Sequence, residues 1–146
     1  MILTPISLGA NVARRIIFVE NDPLVLEFLN DLVSDVGYDC LLFTNPLDAL
    51  EAIRHSQGEL ALVTDLFMHP MLGSDLAAEF RRLHPGQPVI IMTASVERVL
   101  PHIAEGDIVL RKPFWGRDLL SIITELHARE CQLFGEGKLP VAKPPA

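Results

Sequence analysis

Short apolar runs alternate with segments of helical periodicity, and this alternation constrains the fold more than any other feature of the chain. Each run is rich in β-branched or other large apolar residues and is too short for a helix, as expected of strands buried on both faces of a sheet. Because crossovers between parallel strands are right-handed, the alternation predicts an α/β fold: a three-layer, doubly wound, five-stranded parallel sheet with helices on both faces. The predicted strands are Ile16–Val19, Cys40–Phe43, Leu60–Val63, Val89–Met92 and Ile108–Leu110.

Capping residues mark where the first predicted helix begins and ends. Asp22 is suited to the N-cap, Pro23 to the first helical position, and Gly37 to the position where the helix stops. The segment 96–104 is the weakest predicted helix, because Pro101 lies inside it and should break or shorten it.

Length and composition indicate one packed domain. The chain has 146 residues, about the length of one domain, and its 49% hydrophobic content favours a packed core over disorder. A net charge of -7 argues against a surface that coats DNA or binds an anionic membrane. We interpret 1–13 as an apolar N-terminal extension, 14–131 as the domain and 132–146 as a flexible tail or linker.

Two further features predict a cytoplasmic protein. Residues 1–13 carry no Lys or Arg and so lack the charged start of a signal peptide. Cys40 and Cys131 are far apart and belong to no partner motif, which argues against a disulfide scaffold or a zinc cluster. The residues after the last predicted helix, Asp118 to about Cys131, are too few for an attached DNA-binding or catalytic domain.

Polar side chains follow four of the five predicted strands: Glu20, Asp65, Thr93 and Lys112. Because ligands of open parallel sheets bind at the carboxyl ends of the strands, we expect these side chains on one rim. Glu20 and Asp65 can hold Mg²⁺ through oxygen ligands, while Thr93 and Lys112 can bind phosphoryl oxygens. Asp65 can then attack in line and become an aspartyl phosphate.

Each of these residues alone also has an ordinary structural interpretation. Asp65 could cap a turn, Lys112 could be a surface lysine, and the Thr93 hydroxyl could bond to the backbone at its strand end. Glu20 could be a solvated loop acid. The shared rim is what favours the functional interpretation of all four.

Four short motifs resemble the response-regulator receiver domain of two-component signalling. They occur in the order and spacing of that family, over roughly residues 14–130. Each motif is weak alone, but four in order at strand ends are highly specific. The motifs are Val19-Glu20-Asn21-Asp22-Pro23, Thr64-Asp65-Leu66-Phe67-Met68, Met92-Thr93-Ala94 and Arg111-Lys112-Pro113-Phe114.

The resemblance implies a flavodoxin-like receiver fold with strand order 2-1-3-4-5 and a role for each matched residue. Asp65 would be the phosphoacceptor, Thr93 the switch hydroxyl and Lys112 the phosphate-sensing lysine. Mg²⁺ would be held by Glu20, Asn21, Asp65 and the backbone carbonyl of Phe67.

The chain also departs from the family pattern. Asn21 stands where the second acid of the metal pair is usual, so one negative charge is missing and we expect weaker Mg²⁺ binding. Asp22 could compensate, although it competes as the helix N-cap. In the loop after the phosphoacceptor, Pro70 is displaced by one position and Leu72 replaces the usual acid. Val109 stands where an aromatic switch residue is common.

The implied function is a stand-alone phosphorylation switch, not a turnover enzyme. A histidine kinase or histidine phosphotransfer protein would phosphorylate it in a phosphorelay, and it would signal by binding an unknown downstream protein. A homodimer is possible, and neither nucleic acid nor a membrane is expected as a partner.

Two alternatives stay open. One is a phosphorylation-independent protein-interaction module with a degraded metal site, which the amide at Asn21 favours. The other is a metal-dependent phosphatase with an aspartate nucleophile. It ranks low because such enzymes need a general acid two residues after the nucleophile, and that position here is Phe67.

Overall fold

A computed structural model describes residues 15–131, with side chains described as far as residue 126. The extension 1–13, the tail 132–146 and the Cys131 thiol lie outside this description, so the domain boundaries stay predictions. The elements are β1 (Arg15–Val19), α1 (Pro23–Ser34), β2 (Asp39–Phe43), α2 (Pro46–His55), β3 (Leu60–Asp65), α3 (Gly73–Leu83), β4 (Val89–Thr93), α4 (Val96–Val99), a 3-10 turn (Leu100–His102), β5 (Ile108–Arg111) and α5 (Gly116–Cys131).

The five strands form one parallel sheet in the order β2-β1-β3-β4-β5, which confirms the predicted order 2-1-3-4-5. Val19 at the end of β1 pairs with Thr64, and Asp65 at the end of β3 pairs with Met92. Strand order reverses between β1 and β3, which are neighbours in space but not in sequence. The carboxyl ends at this switch point are where parallel sheets bind ligands.

Two apolar layers cover the sheet. Alternate residues of β1 point to opposite faces, as the pleat requires. Phe18 belongs to the layer that includes Leu29 of α1 and Ile123 of α5. Ile17 belongs to the layer that includes Ile53 of α2 and Phe80 of α3. All six residues of β3 are buried, so the sheet centre is the most protected part of the fold.

A side-chain cap explains where α1 begins. The Asp22 side chain accepts a hydrogen bond from the Leu24 N–H (3.0 Å), which confirms its predicted capping role. The helix predicted weakly over 96–104 is one turn of α4 followed by the 3-10 turn that contains Pro101.

The last helix begins two residues before the start predicted at Asp118. The Trp115 N–H donates to the Asp118 carboxylate (3.1 Å), so this side chain lies inside the first turn and reaches back to cap it. The sequence predicts Asp118 as the first residue of this helix, whereas it is the third and stabilises the first turn from within.

Gly73 brings the start of α3 against the end of β3. Its N–H donates to the Leu66 carbonyl (2.7 Å), and a Cβ at this position would lie 1.8 Å from the Asp65 carbonyl oxygen. Only glycine permits this approach, which holds the loop after Asp65 in a tight turn.

Among the described helices, none combines the length and the apolar character that crossing a bilayer requires.

Candidate functional site

Three side chains that the sequence analysis singled out meet at the carboxyl end of the sheet. The Lys112 Nζ lies 2.6 Å from Asp65 Oδ1 and 3.0 Å from Glu20 Oε1, so one ammonium bridges two carboxylates. The side chains of Glu20 and Asp65 are only 3% and 10% exposed. Hydrogen bonds to charged groups are strong when they are shielded from water, so this triad is a well-defined cluster.

Backbone contacts hold Glu20 in position. Its N–H donates to the Phe43 carbonyl (3.0 Å), which extends the pairing of β1 with β2 by one residue. Its Oε2 accepts from the Asp22 N–H (3.0 Å) while its Oε1 accepts from Lys112. Both carboxylate oxygens therefore have donors, which compensates for the cost of burying the charge.

Burial and a neighbouring acid shift the pKa of Asp65, the candidate phosphoacceptor. Burial raises the pKa of Asp65, the Glu20 carboxylate raises it further, and Lys112 opposes both, with the pKa at about 7. Burial also disfavours the charged form of Lys112, but its ion pairs with Asp65 and Glu20 outweigh this and raise its pKa. Lys112 thus stays an ammonium at every pH where Asp65 titrates.

Thr93 is on the same rim, but its hydroxyl is engaged elsewhere. It follows Met92, the residue that pairs with Asp65, and its carbonyl accepts from the Lys112 N–H (2.8 Å). Within the described part of the chain, the hydroxyl hydrogen bonds only with Ser95, whose N–H donates to it (3.1 Å). To donate a hydrogen bond to a group on Asp65, the Thr93 hydroxyl would have to give up its present acceptor, the Ser95 carbonyl (3.4 Å).

The residues that could bind a metal ion include one acid fewer than the family pattern, which has two adjacent acids after β1. Glu20 and Asp65 supply two carboxylates, Asn21 is exposed, and one Asp22 oxygen is used to cap α1. Among the side chains described, up to residue 126, no group of three or more His, Cys, Asp or Glu is arranged for a metal ion. The oxygen donors present, with the Asn21 amide and the Phe67 carbonyl, are the type that Mg²⁺ prefers, so they fit a site weaker than one with three acids.

A contact beside the site escaped the sequence analysis. The guanidinium carbon of Arg98, in α4, lies 4.4 Å from the centroid of the Phe67 ring, in the loop after β3. The two residues are far apart in sequence and share no motif. The only available signal was that each lies shortly after one of the two neighbouring strands β3 and β4.

Exposed apolar side chains lie on the α1 and α5 side of the site. Leu24, Phe28 and Trp115 are each at least half exposed, and we call them the apolar stripe. A Cβ on Gly116 would lie 3.5 Å from Phe28, so the start of α5 lies against α1 and brings Trp115 beside it. Contiguous exposed apolar groups commonly mark protein-binding surfaces.

Comparison with known proteins gives a consistent result. Residues 16–124 match the family model of the response regulator receiver domain. The response regulator MprA of Mycobacterium leprae is 34% identical over 118 residues, which are 79% of this chain and 51% of that protein. The DNA-binding response regulator MtrA of Mycolicibacterium smegmatis is 30% identical over 111 residues, 74% of this chain and 48% of that protein. The chain thus spans about half the length of these two relatives.

A solved structure is similar to this chain in both fold and sequence. The CheY-like receiver domain protein of Methanospirillum hungatei has a TM-score of 0.71 and 26% identity. The match covers 84% of this chain and 99% of that one.

Proposed function

The chain belongs to the family of response regulator receiver domains, and from this premise we propose that Asp65 accepts a phosphoryl group from a histidine kinase or histidine phosphotransfer protein. Members of this family are signalling switches rather than turnover enzymes, and they typically bind Mg²⁺. The observation that carries the proposal is the bridge from Lys112 to Asp65 and Glu20 at the end of the central strand.

The chemistry of the transfer assigns a role to each residue. An oxygen of the ionised Asp65 carboxylate attacks the phosphorus of a phosphohistidine in line, the P–N bond breaks, and the leaving imidazole takes up a proton. Lys112 is already 2.6 Å from Asp65, so it can pair with an oxygen of the incoming phosphoryl group without large movement. The Thr93 hydroxyl would exchange Ser95 for a phosphoryl oxygen.

The donor set supports Mg²⁺ as the accompanying cation. Glu20, Asn21, Asp65 and the Phe67 carbonyl would hold it, and it would supply positive charge beside the phosphoryl oxygens. With an amide at Asn21 in place of an acid, this chain should bind the ion more weakly than receivers that carry two adjacent acids.

The apolar stripe supports a protein as the phosphoryl donor. Leu24, Phe28 and Trp115 lie on α1 and at the start of α5, close to the end of the sheet that carries Asp65. A donor that covers them would bury apolar surface while it presents its histidine. A cytoplasmic location, a downstream protein as the receiver of the signal, and the possibility of a homodimer belong to the same proposal.

Phosphorylation of the intact chain tests this function. Acetyl phosphate with Mg²⁺ should add one phosphoryl group to the wild-type chain, seen as an intact-mass shift. The variant Asp65→Asn should show no shift, while Asp48→Asn, an exposed acid in α2, should behave as the wild type. Lack of a shift with any donor, a cognate kinase included, would overturn the proposal in favour of a phosphorylation-independent interaction module. A shift that survives in Asp65→Asn would overturn the choice of phosphoacceptor.

A further inference from the structure

The contact between Arg98 and Phe67 lies next to the phosphoacceptor. Phe67 follows Asp65 by two residues, and Arg98 follows Thr93 by five. Because β3 and β4 are neighbours with Asp65 opposite Met92, the two segments that follow these strands emerge side by side. The guanidinium lies over the aromatic ring, with its carbon 4.4 Å from the ring centroid.

Over the residues that the structure describes, Arg98 lacks the acidic partner that several other arginines of the domain have. Arg54, Arg81 and Arg82 each form an ion pair with an acidic side chain. Among the described side chains, Arg98 makes no such pair, and its guanidinium lies on the face of Phe67, as that of Arg117 lies over Trp115. An exposed cation–π contact is weak, so a stronger anionic partner nearby would displace it.

Phosphorylation would create such a partner. At present two carboxylates, on Asp65 and Glu20, face one ammonium, on Lys112. A phosphoryl group on Asp65 replaces one negative charge with nearly two and presents three strong acceptor oxygens, which can accept more hydrogen bonds than Lys112 and Thr93 donate. A guanidinium binds phosphoryl oxygens through two parallel N–H donors, which suits it to supply further hydrogen bonds.

We propose that Arg98 is a phosphoryl-binding residue of the phosphorylated protein. It lies on Phe67 while Asp65 is unmodified, and it moves to the phosphoryl oxygens once the group is attached. The inference rests on the proposed phosphorylation of Asp65 and adds a second cationic ligand, on α4, to Lys112. The movement would pull α4 toward the site and so link modification to the position of that helix.

Beryllofluoride, which imitates a phosphoryl group on an aspartate, is the probe that tests the proposal. Its affinity for the full chain would be measured by calorimetry in the presence of Mg²⁺. Arg98→Ala should weaken binding about tenfold, because one charge-assisted contact is lost. Arg98→Lys should keep part of the affinity, since it keeps the charge without the planar fork. The difference between Arg98→Ala and the wild type should shrink at high salt.

Arg54→Ala is the matched control. It removes the same charge from an exposed arginine in the last turn of α2, whose ion-pair partner is Glu51. Arg54→Ala should bind beryllofluoride as the wild type does. A loss of affinity in Arg98→Ala alone would then be due to a lost contact and not to the change in net charge.

Mg²⁺ affinity measured without beryllofluoride separates phosphoryl binding from a merely structural role. If the contact with Arg98 only braced the loop that carries Phe67, Arg98→Ala would weaken Mg²⁺ binding as well, because the loop supplies the Phe67 carbonyl. If Arg98 is a phosphoryl ligand, Arg98→Ala should bind Mg²⁺ as the wild type does and lose affinity for beryllofluoride alone. Equal losses of Mg²⁺ affinity and beryllofluoride affinity in Arg98→Ala would show that the pair only braces the loop, and would overturn the proposal.

The outcomes also distinguish this inference from the function on which it rests. Asp65 could be phosphorylated while Arg98→Ala and the wild type bind beryllofluoride equally well, or neither binds it. That result would overturn only the proposed role of Arg98. If the wild-type chain accepts no phosphoryl group from any donor, both proposals fall.

Discussion

Asp65 shows how its environment adapts an ordinary side chain to the proposed chemistry. Burial and the nearby Glu20 carboxylate raise its pKa to about 7, while Lys112 limits the rise. An unperturbed aspartate is ionised throughout the neutral range and would show no pH response there. Here the ionised, nucleophilic form and the protonated form interconvert near neutral pH, so the rate of phosphorylation should report the protonation state of Asp65.

The rate of phosphorylation by acetyl phosphate should rise between pH 6 and pH 8. The attacking species is the carboxylate, and with a pKa of about 7 its fraction increases from roughly one tenth to nine tenths over this range. Initial rates from intact-mass spectra at a low, constant Mg²⁺ concentration would measure the effect. A flat profile would mean that the carboxylate is already fully ionised at pH 6.

Asn21→Asp should strengthen Mg²⁺ binding about tenfold. The substitution adds a carboxylate beside Glu20 and Asp65, and hard divalent cations gain affinity with the number of charged oxygen ligands. Calorimetric titration of the chain with Mg²⁺ measures the change. Asn30→Asp, which adds the same charge further along α1, is the control and should leave the affinity unchanged. Equal gains in both variants would argue for a general charge effect instead.

At the scale of elements, the joint between β3 and α3 positions Asp65, the proposed phosphoacceptor. All of β3 is buried at the sheet centre, and α3 begins so close to it that Gly73 touches the Asp65 carbonyl. The loop between them carries Phe67. It therefore positions the Phe67 carbonyl, the predicted Mg²⁺ ligand, and the Phe67 ring, on which the Arg98 guanidinium lies. A change in this joint would therefore affect folding and the site together.

Gly73→Ala should destabilise the domain by roughly 3 kcal/mol, because the new methyl group would overlap a backbone oxygen that has little freedom to move. Chemical denaturation of both proteins gives the difference. The comparison is Gly116→Ala, where the nearest obstacle, at 2.9 Å, is the end of the flexible Leu32 side chain. That variant should stay within about 1 kcal/mol of the wild type. Similar effects of the two substitutions would contradict the tight joint.

At the scale of the whole molecule, the site exists only when the sheet is complete. Lys112 and Glu20 are separated by 92 positions in sequence, and their contact joins the end of β5 to the end of β1 across the two strands between them, β3 and β4. A ligand of this cluster thus binds the folded chain and has no site on the unfolded chain. Ligand binding and global stability are therefore thermodynamically linked.

Beryllofluoride with Mg²⁺ should raise the melting temperature of the wild-type chain. At a hundred times its dissociation constant it would stabilise the fold by about 2.7 kcal/mol, which corresponds to roughly 5–10 °C for a domain of this size. Thermal melts followed by circular dichroism would measure the shift. Asp65→Asn should show none, and Asp48→Asn should match the wild type. A shift retained in Asp65→Asn would place the ligand elsewhere.

The amino-acid sequence by itself determined the features that arise from neighbours along the chain. The apolar runs, the cap at Asp22 and the interruption at Pro101 depend on local geometry, and the residues at strand ends predicted one rim. Only the tertiary structure decided that Lys112 bridges both acids, that the Thr93 hydroxyl is held by Ser95, and that Arg98 lies on Phe67. The reason is physical: these contacts depend on the directions of side chains carried by separate strands and loops, and no local pattern encodes those directions.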